Sequence, residues 1–134
     1  MKTYVFDASA LLAFLQPKPS AVKVGALLKE GVRGAAEILM SAVNFGEVYG
    51  VVLREHGPDA AQTAMGALRP LPIRLIDATP ERCLRAADVK TKYRLYYVDS
   101  FAAALALEYK ATLVTSDSDF RKLGHGFPVV WLKA

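Results

Sequence analysis

Thr3-Tyr4-Val5-Phe6-Asp7-Ala8-Ser9-Ala10-Leu11 passes from a β-favouring run to a helix-prone one across a single acidic residue. Thr3–Phe6 reads as a strand because β-branched and aromatic side chains suit a pleated, buried surface, and Ala8–Leu15 continues as a helix. Gln16–Ser20 is a loop, with Ser20 placed to cap a helix that ends before Gly31. The alternation then repeats. Glu37–Met40 reads as a second buried strand, and Ser41 caps a helix that Gly57-Pro58 ends. Another helix covers Asp59 to Leu68, and Pro70–Ile76 is extended, its two prolines assigning it to a sheet edge. Thr79-Pro80-Glu81 opens a helix with a capping hydroxyl, a first-turn proline and an acid facing the helix dipole. That helix runs to about Lys92. An alanine-rich helix follows over Asp99–Tyr109, and Ala111–Thr115 and Pro128–Leu132 are the last two strands. Strands alternating with helices imply a parallel sheet covered on both faces. The expected fold is a three-layer α/β/α sandwich around a mainly parallel sheet, forming one domain over residues 1–134.

Composition narrows the chemistry. With 53% hydrophobic and 22% charged residues the chain reads as globular. No apolar run approaches the roughly 18 residues of a membrane span. Asp7 interrupts the apolar start of the chain, and no small-residue cleavage site follows it, so a strand entering a helix fits better than a signal peptide. The expected location is the cytoplasm. Cys83 is the only cysteine, which forbids an intramolecular disulfide and argues against a thiolate zinc site. His56 and His125 are the only histidines, both beside glycine and both read as loop residues. Chemistry built on cysteine or histidine therefore has little to draw on. Carboxylates are plentiful.

Asp7, Glu47, Asp99 and Asp117 fall at helix starts or strand ends. Asp7 ends a strand and can cap the next helix; ligands in open parallel sheets also bind beyond such strand ends. Ser9 adds a hydroxyl two residues on. Asp99 opens the alanine-rich helix and reads as a cap, with the helix dipole favouring its charge. Asp117 and Asp119 stand in Thr115-Ser116-Asp117-Ser118-Asp119-Phe120, where Asx or serine turns and hard oxygen donors are both available. Glu47 is the hardest to place. Phe45, Val48, Tyr49 and Val52 form the apolar stripe of its helix, and Glu47 projects away from it with Gly46, Gly50 and Arg54.

Carboxylates gathered together repel and raise one another's pKa unless a cation compensates. Mg²⁺ and Mn²⁺ accept oxygen ligands, retain waters and can act on phosphodiesters. The charge balance suits such a role. Lysine and arginine total 17 against 13 acids, and setting the four acids aside leaves 17 positive against 9 negative, a net +8. An acidic focus on a basic body fits a metal acting on a polyanion. Arg82, Arg85 and Lys92 share one face of the helix from Pro80 and offer phosphate contacts, although an ordinary solvated face explains them too.

Val5-Phe6-Asp7-Ala8-Ser9-Ala10-Leu11, Glu47 in mid-chain, Asp99-Ser100-Phe101-Ala102-Ala103-Ala104-Leu105-Ala106 and Leu113-Val114-Thr115-Ser116-Asp117-Ser118-Asp119-Phe120 together resemble the PIN-domain family, in particular the VapC-type toxins of toxin–antitoxin pairs. The resemblance covers the whole chain in order and spacing. It implies a parallel-sheet α/β/α fold and an Mg²⁺- or Mn²⁺-dependent endoribonuclease. Asp7, Glu47, Asp99 and Asp117 would form the acidic site, Asp119 would be an auxiliary carboxylate, and Ser9 and Thr115 would be the hydroxyls near the metal. It further implies a homodimer, and a cognate antitoxin whose segment lies across the acidic site.

The reading that follows is a ribonuclease hydrolysing RNA with metal-activated water. A phospho-acceptor domain also groups acids at strand ends, but it calls for paired acids after the first strand, where Asp7 stands alone. A haloacid-dehalogenase-type phosphatase calls for an aspartate at position 9, which is Ser9. A non-catalytic interaction module whose acids are all caps is the third alternative.

Overall fold

A computed structural model describes residues 1–133. In chain order the elements are β1 (Lys2–Phe6), α1 (Ala8–Phe14), α2 (Pro19–Val32), β2 (Ala36–Ser41), α3 (Ala42–His56), α4 (Pro58–Leu68), β3 (Arg74–Ile76), α5 (Pro80–Tyr93), α6 (Tyr97–Tyr109), β4 (Thr112–Thr115), a 3₁₀ turn (Ser118–Leu123) and β5 (Val129–Trp131). The five strands form one sheet in the order β3-β2-β1-β4-β5, and every pairing is parallel. Val5 is registered against Leu39 on one side and Leu113 on the other, so β1 is the central strand. The prolines at 70 and 72 mark an edge, and β3 is an edge strand, shortened to three residues beyond them.

Side-chain alternation along the strands sorts the core into two layers. Tyr4, Phe6, Ile38, Met40 and Val114 pack on one face with α1, α2 and the Met65 and Leu68 side chains of α4. Val5, Leu39 and Leu113 pack on the other with Val89 of α5 and the alanines of α6. Phe6, Leu39 and Leu113 are wholly buried, each contributing about 1.5–3 kcal/mol by removal from water. The alanine run Ala102–Ala104 lets α6 sit close to the sheet. The expected three-layer sandwich is what the chain forms.

Several boundaries differ from expectation. Lys18, not Ser20, occupies the cap position of α2; Pro19 takes the first turn and Ser20 is buried, donating its hydroxyl to the carbonyl of Lys133 at 2.6 Å. The helix also runs through Gly31. A β-carbon there would lie 3.1 Å from Pro72 Cγ and 3.2 Å from Ile38 Cδ1, so Gly31 serves close packing against the sheet instead of stopping the helix. Gly57, at φ 89°, ends α3 as expected, but His56 belongs to the last turn of that helix, not to the loop. Among the described residues no helix is long and apolar enough to cross a membrane.

Candidate metal centre

The chain order reverses at β1: β2 and β3 lie to one side, β4 and β5 to the other. In parallel sheets such a switch point leaves a crevice beyond the strand ends. Asp7 follows β1 there, and its amide continues the ladder by donating to the Val114 carbonyl at 3.3 Å. The Asp7 carboxylate does cap α1, Oδ1 accepting from the Ala10 amide at 3.0 Å. Oδ1 also accepts from the Ser9 hydroxyl at 2.6 Å, while Oδ2 accepts from the Thr115 hydroxyl across the sheet. Ser9 and Thr115 are 3.2 Å apart through their hydroxyl oxygens; Ser9 accepts the Ser116 amide and Thr115 the Asp117 amide, both at 2.9 Å. Two hydroxyls thus tie the end of β1 to the turn that carries Asp117. Burial lifts the Asp7 carboxyl to about 6, against the pull of those hydrogen bonds, and the nearby Asp117 charge adds to the rise.

Asp117 caps the 3₁₀ turn, its Oδ1 accepting the Asp119 amide at 2.9 Å. That turn aims Asp119 back toward Asp99. The carboxylates of Asp99, Asp117 and Asp119 can each offer an oxygen such that the three lie within 4.8 Å of one another. Asp119, expected as an auxiliary, is therefore inside the tightest part of the cluster.

Asp99 is not a cap. The helix begins two residues earlier, at Tyr97, whose ring meets Phe101 edge-on at 5.0 Å between centroids, and Asp99 falls in the first turn. Its carboxylate is left free of the capping bond that an N-cap would make. Partial burial, then the charges of Asp117, Glu47, Asp7 and Asp119, push it up to about 7, and no hydrogen bond opposes the rise. Asp99 is the point on which all the other acids bear.

Glu47 departs from the apolar-stripe reading, which left it pointing away from the core. It is half-buried, and its pKa is raised first by that burial and further by Asp117, so it faces the acids and not open solvent. Asn44 lies three residues back on the same face of α3. Asn44 is 1% exposed; its amide donates to the Val98 carbonyl at 3.0 Å, one residue before Asp99, and it also steadies the Glu47 carboxylate. A buried polar residue at this position makes the inward face of α3 wider than its apolar stripe. Sequence reading missed Asn44, though its spacing from Glu47 was visible.

The basic residues divide. Arg82 makes a two-pronged pair with Glu108 (Nε to Oε1 3.1 Å, a second nitrogen to Oε2 3.0 Å), and Arg85 bridges Glu108 at 3.1 Å and Glu81 at 2.7 Å. Both guanidiniums clamp α5 to α6 and are neutralised there. Lys92 is exposed, with its ammonium 5.2 Å from the centre of the Tyr93 ring.

Fold and site together define an all-parallel α/β/α protein with a carboxylate cluster at its topological switch point. The chain belongs to the PIN domain family, which it matches over residues 4–126. No curated protein sequence matches it closely. Among solved structures it is similar to VapBC2 from Rickettsia felis bound to a promoter DNA fragment (TM-score 0.74, 15% identity, 97% of this chain and 98% of that one). It is also similar to VapC20 from Mycobacterium tuberculosis, a sarcin–ricin-loop-cleaving toxin (0.71, 16%, 90% and 95%), and to a toxin–antitoxin complex from Klebsiella pneumoniae (0.65, 19%, 95% and 95%).

Proposed function

We propose that the chain is a divalent-cation-dependent endoribonuclease, the toxin of a type II toxin–antitoxin pair, working in the cytoplasm as a homodimer and restrained by a cognate antitoxin. The observation that carries this reading is the approach of Asp99, Asp117 and Asp119 to within 4.8 Å of one another, with the Asp7 and Glu47 charges adding to the repulsion on Asp99. The donor set is all hard oxygen and fits Mg²⁺ or Mn²⁺ better than a softer metal. The raised Asp99 carboxyl, lacking any hydrogen bond to lower it, fits a group whose partner is a cation.

In this reading Asp99, Asp117 and Asp119 hold the ion. Asp7 accepts three hydrogen bonds, which leaves one of about four carboxylate lone pairs unused. Ser9 and Thr115 fix its orientation. Glu47, steadied by Asn44, closes the side formed by α3. A bound divalent cation supplies water activation near neutral pH and offsets charge on the phosphodiester. Membership of the PIN family and the toxin–antitoxin neighbours support the same assignment.

The test is direct. Purified protein, freed of any partner, is incubated with single-stranded RNA in Mg²⁺ or Mn²⁺ and in chelator. Cleavage should require the metal and fall by at least about a hundredfold in Asp99→Asn and Asp7→Asn, as loss of an electrostatic catalytic group does. Equal cleavage by wild type and both variants would remove the acids from the chemistry.

A further inference from the structure

The acidic cluster opens on one side into a basic cleft. Lys90, Arg94, Tyr96 and Lys122 line a space of about 620 Å³ together with Asp119, which is also a member of the cluster. Lys90 lies in the last turn of α5, Arg94 just beyond it, Tyr96 caps α6, and Lys122 comes from the 3₁₀ turn. All three cations are exposed, and among the described residues none is paired with a carboxylate. Arg82 and Arg85, on the other end of the same helix, are both neutralised.

Two details of backbone and side chain are otherwise unexplained. Arg94 sits at φ 56°, ψ 47°, a left-handed position that glycine fills at helix ends without strain. Keeping a long cation there opposes the local preference. The Lys122 ammonium donates to the Arg94 carbonyl at 3.0 Å, which steadies that turn and holds a second positive charge beside the guanidinium. Tyr96 is 74% exposed, a large ring offered to solvent at the cleft wall.

We propose that this cleft is the subsite for the single-stranded RNA segment flanking the scissile phosphate, with Lys90, Arg94 and Lys122 contacting backbone phosphates and the Tyr96 ring stacking on one base. The inference rests on the ribonuclease reading and specifies where its substrate lies. The contacts carry no base code, since phosphates are alike and every base has a face to stack on. The cleft therefore sets strand path and affinity, and it selects unpaired RNA because a base inside a duplex cannot reach the ring.

The test is fluorescence anisotropy with a labelled single-stranded RNA dodecamer in EDTA, which prevents turnover and removes Mg²⁺ as a competing counterion. Affinity is followed from about 50 to 200 mM salt for wild type, for Lys90→Gln/Arg94→Gly/Lys122→Gln, and for a control triple on α2, Lys23→Gln/Lys29→Gln/Arg33→Gln. Glycine at 94 suits the backbone there, and thermal melting checks that each variant is folded. The cleft triple should lose about 2 from the slope of log Kd against log salt, about 0.7 per phosphate contact, while the control keeps its slope. Tyr96→Ala should bind about tenfold more weakly at fixed salt. In Mn²⁺ the cleft triple should raise KM with kcat largely kept. Equal slopes for the two triples, with cleavage intact, would overturn the subsite and leave the ribonuclease standing. A wild type that neither binds nor cleaves RNA overturns both.

Discussion

Replacing Asp99 by asparagine removes one negative charge from the centre of the cluster and keeps the shape of the side chain. The carboxyl is raised from 3.8 to about 7 in the folded protein by burial and by four neighbouring acids. At about 1.4 kcal/mol per tenfold step in proton affinity, this sets a ceiling of about 4 kcal/mol on what its ionisation costs the fold. The group is only half-buried, so solvent screening brings the expected figure to about 1–2 kcal/mol. The sign follows from the direction of the shift. An acid with a raised folded pKa penalises the native state once it ionises, so the penalty is absent near pH 4 and grows as pH rises to about 7. Urea unfolding in EDTA should therefore find Asp99→Asn more stable than wild type by about 1–2 kcal/mol at pH 8 and nearly equal at pH 4. Adding Mg²⁺ should stabilise wild type by mass action and leave the variant almost unmoved. An acid serving only the helix dipole behaves in the opposite way, its loss costing about 0.3–1 kcal/mol at pH 8. If Asp99→Asn is less stable than wild type in EDTA at pH 8, and Mg²⁺ shifts neither protein, repulsion does not dominate and the cluster is not a cation site.

Three further outcomes are expected. Thr115→Val keeps the side-chain shape but removes the hydroxyl that holds Asp7 down; the Asp7 carboxyl should move above its present value of about 6, carrying the acid limb of the pH–rate profile upward, with about 1–2 kcal/mol of stability lost above pH 6 by urea titration. Arg82→Ala should lower stability by about 1 kcal/mol through the lost clamp on Glu108, yet leave the salt dependence of RNA binding unchanged, as competition titrations can measure. Lys110→Gly should raise stability by about 0.5–1 kcal/mol in thermal melts, because Lys110 ends α6 at φ 52° and a side chain there is strained.

The alternation that begins with Thr3–Leu11 made the sheet legible, because a parallel sheet buries both faces and its strands read as short apolar runs between helices. Thr79-Pro80-Glu81 is an example of full local agreement: the Thr79 hydroxyl accepts the Arg82 amide and α5 starts where the motif says. The cap reading of Asp99 failed because Tyr96-Tyr97-Val98 carries no helix signal of its own; Tyr97, packed on Phe101, and Val98 belong to the helix, which moves the acid past the cap. The apolar stripe of α3 left Glu47 on the outer side because such a stripe counts only apolar residues, whereas Asn44, three residues earlier, is buried too. The closeness of Asp119 to Asp99 depends on a 3₁₀ turn after β4, a tertiary outcome that spacing alone does not encode. Ion pairing at Arg82 and Arg85 was equally out of sight, since Glu108 lies on a different helix.

The registry of Phe6 beside Val114 has a bearing on how such a protein is made. Thr115 lies 108 residues beyond Asp7, with Asp117 and Asp119 just after it, so a ribosome releases these acids and the Thr115 hydroxyl long after it has released Asp7 and Ser9. Until β4 slides in beside β1, the acids are separate charges on an incomplete sheet. On the ribonuclease reading, a chain of this design would be silent toward RNA while it is still being made. On that reading activity would arrive only with the last strands of the sheet, which would leave time for a restraining partner to be made.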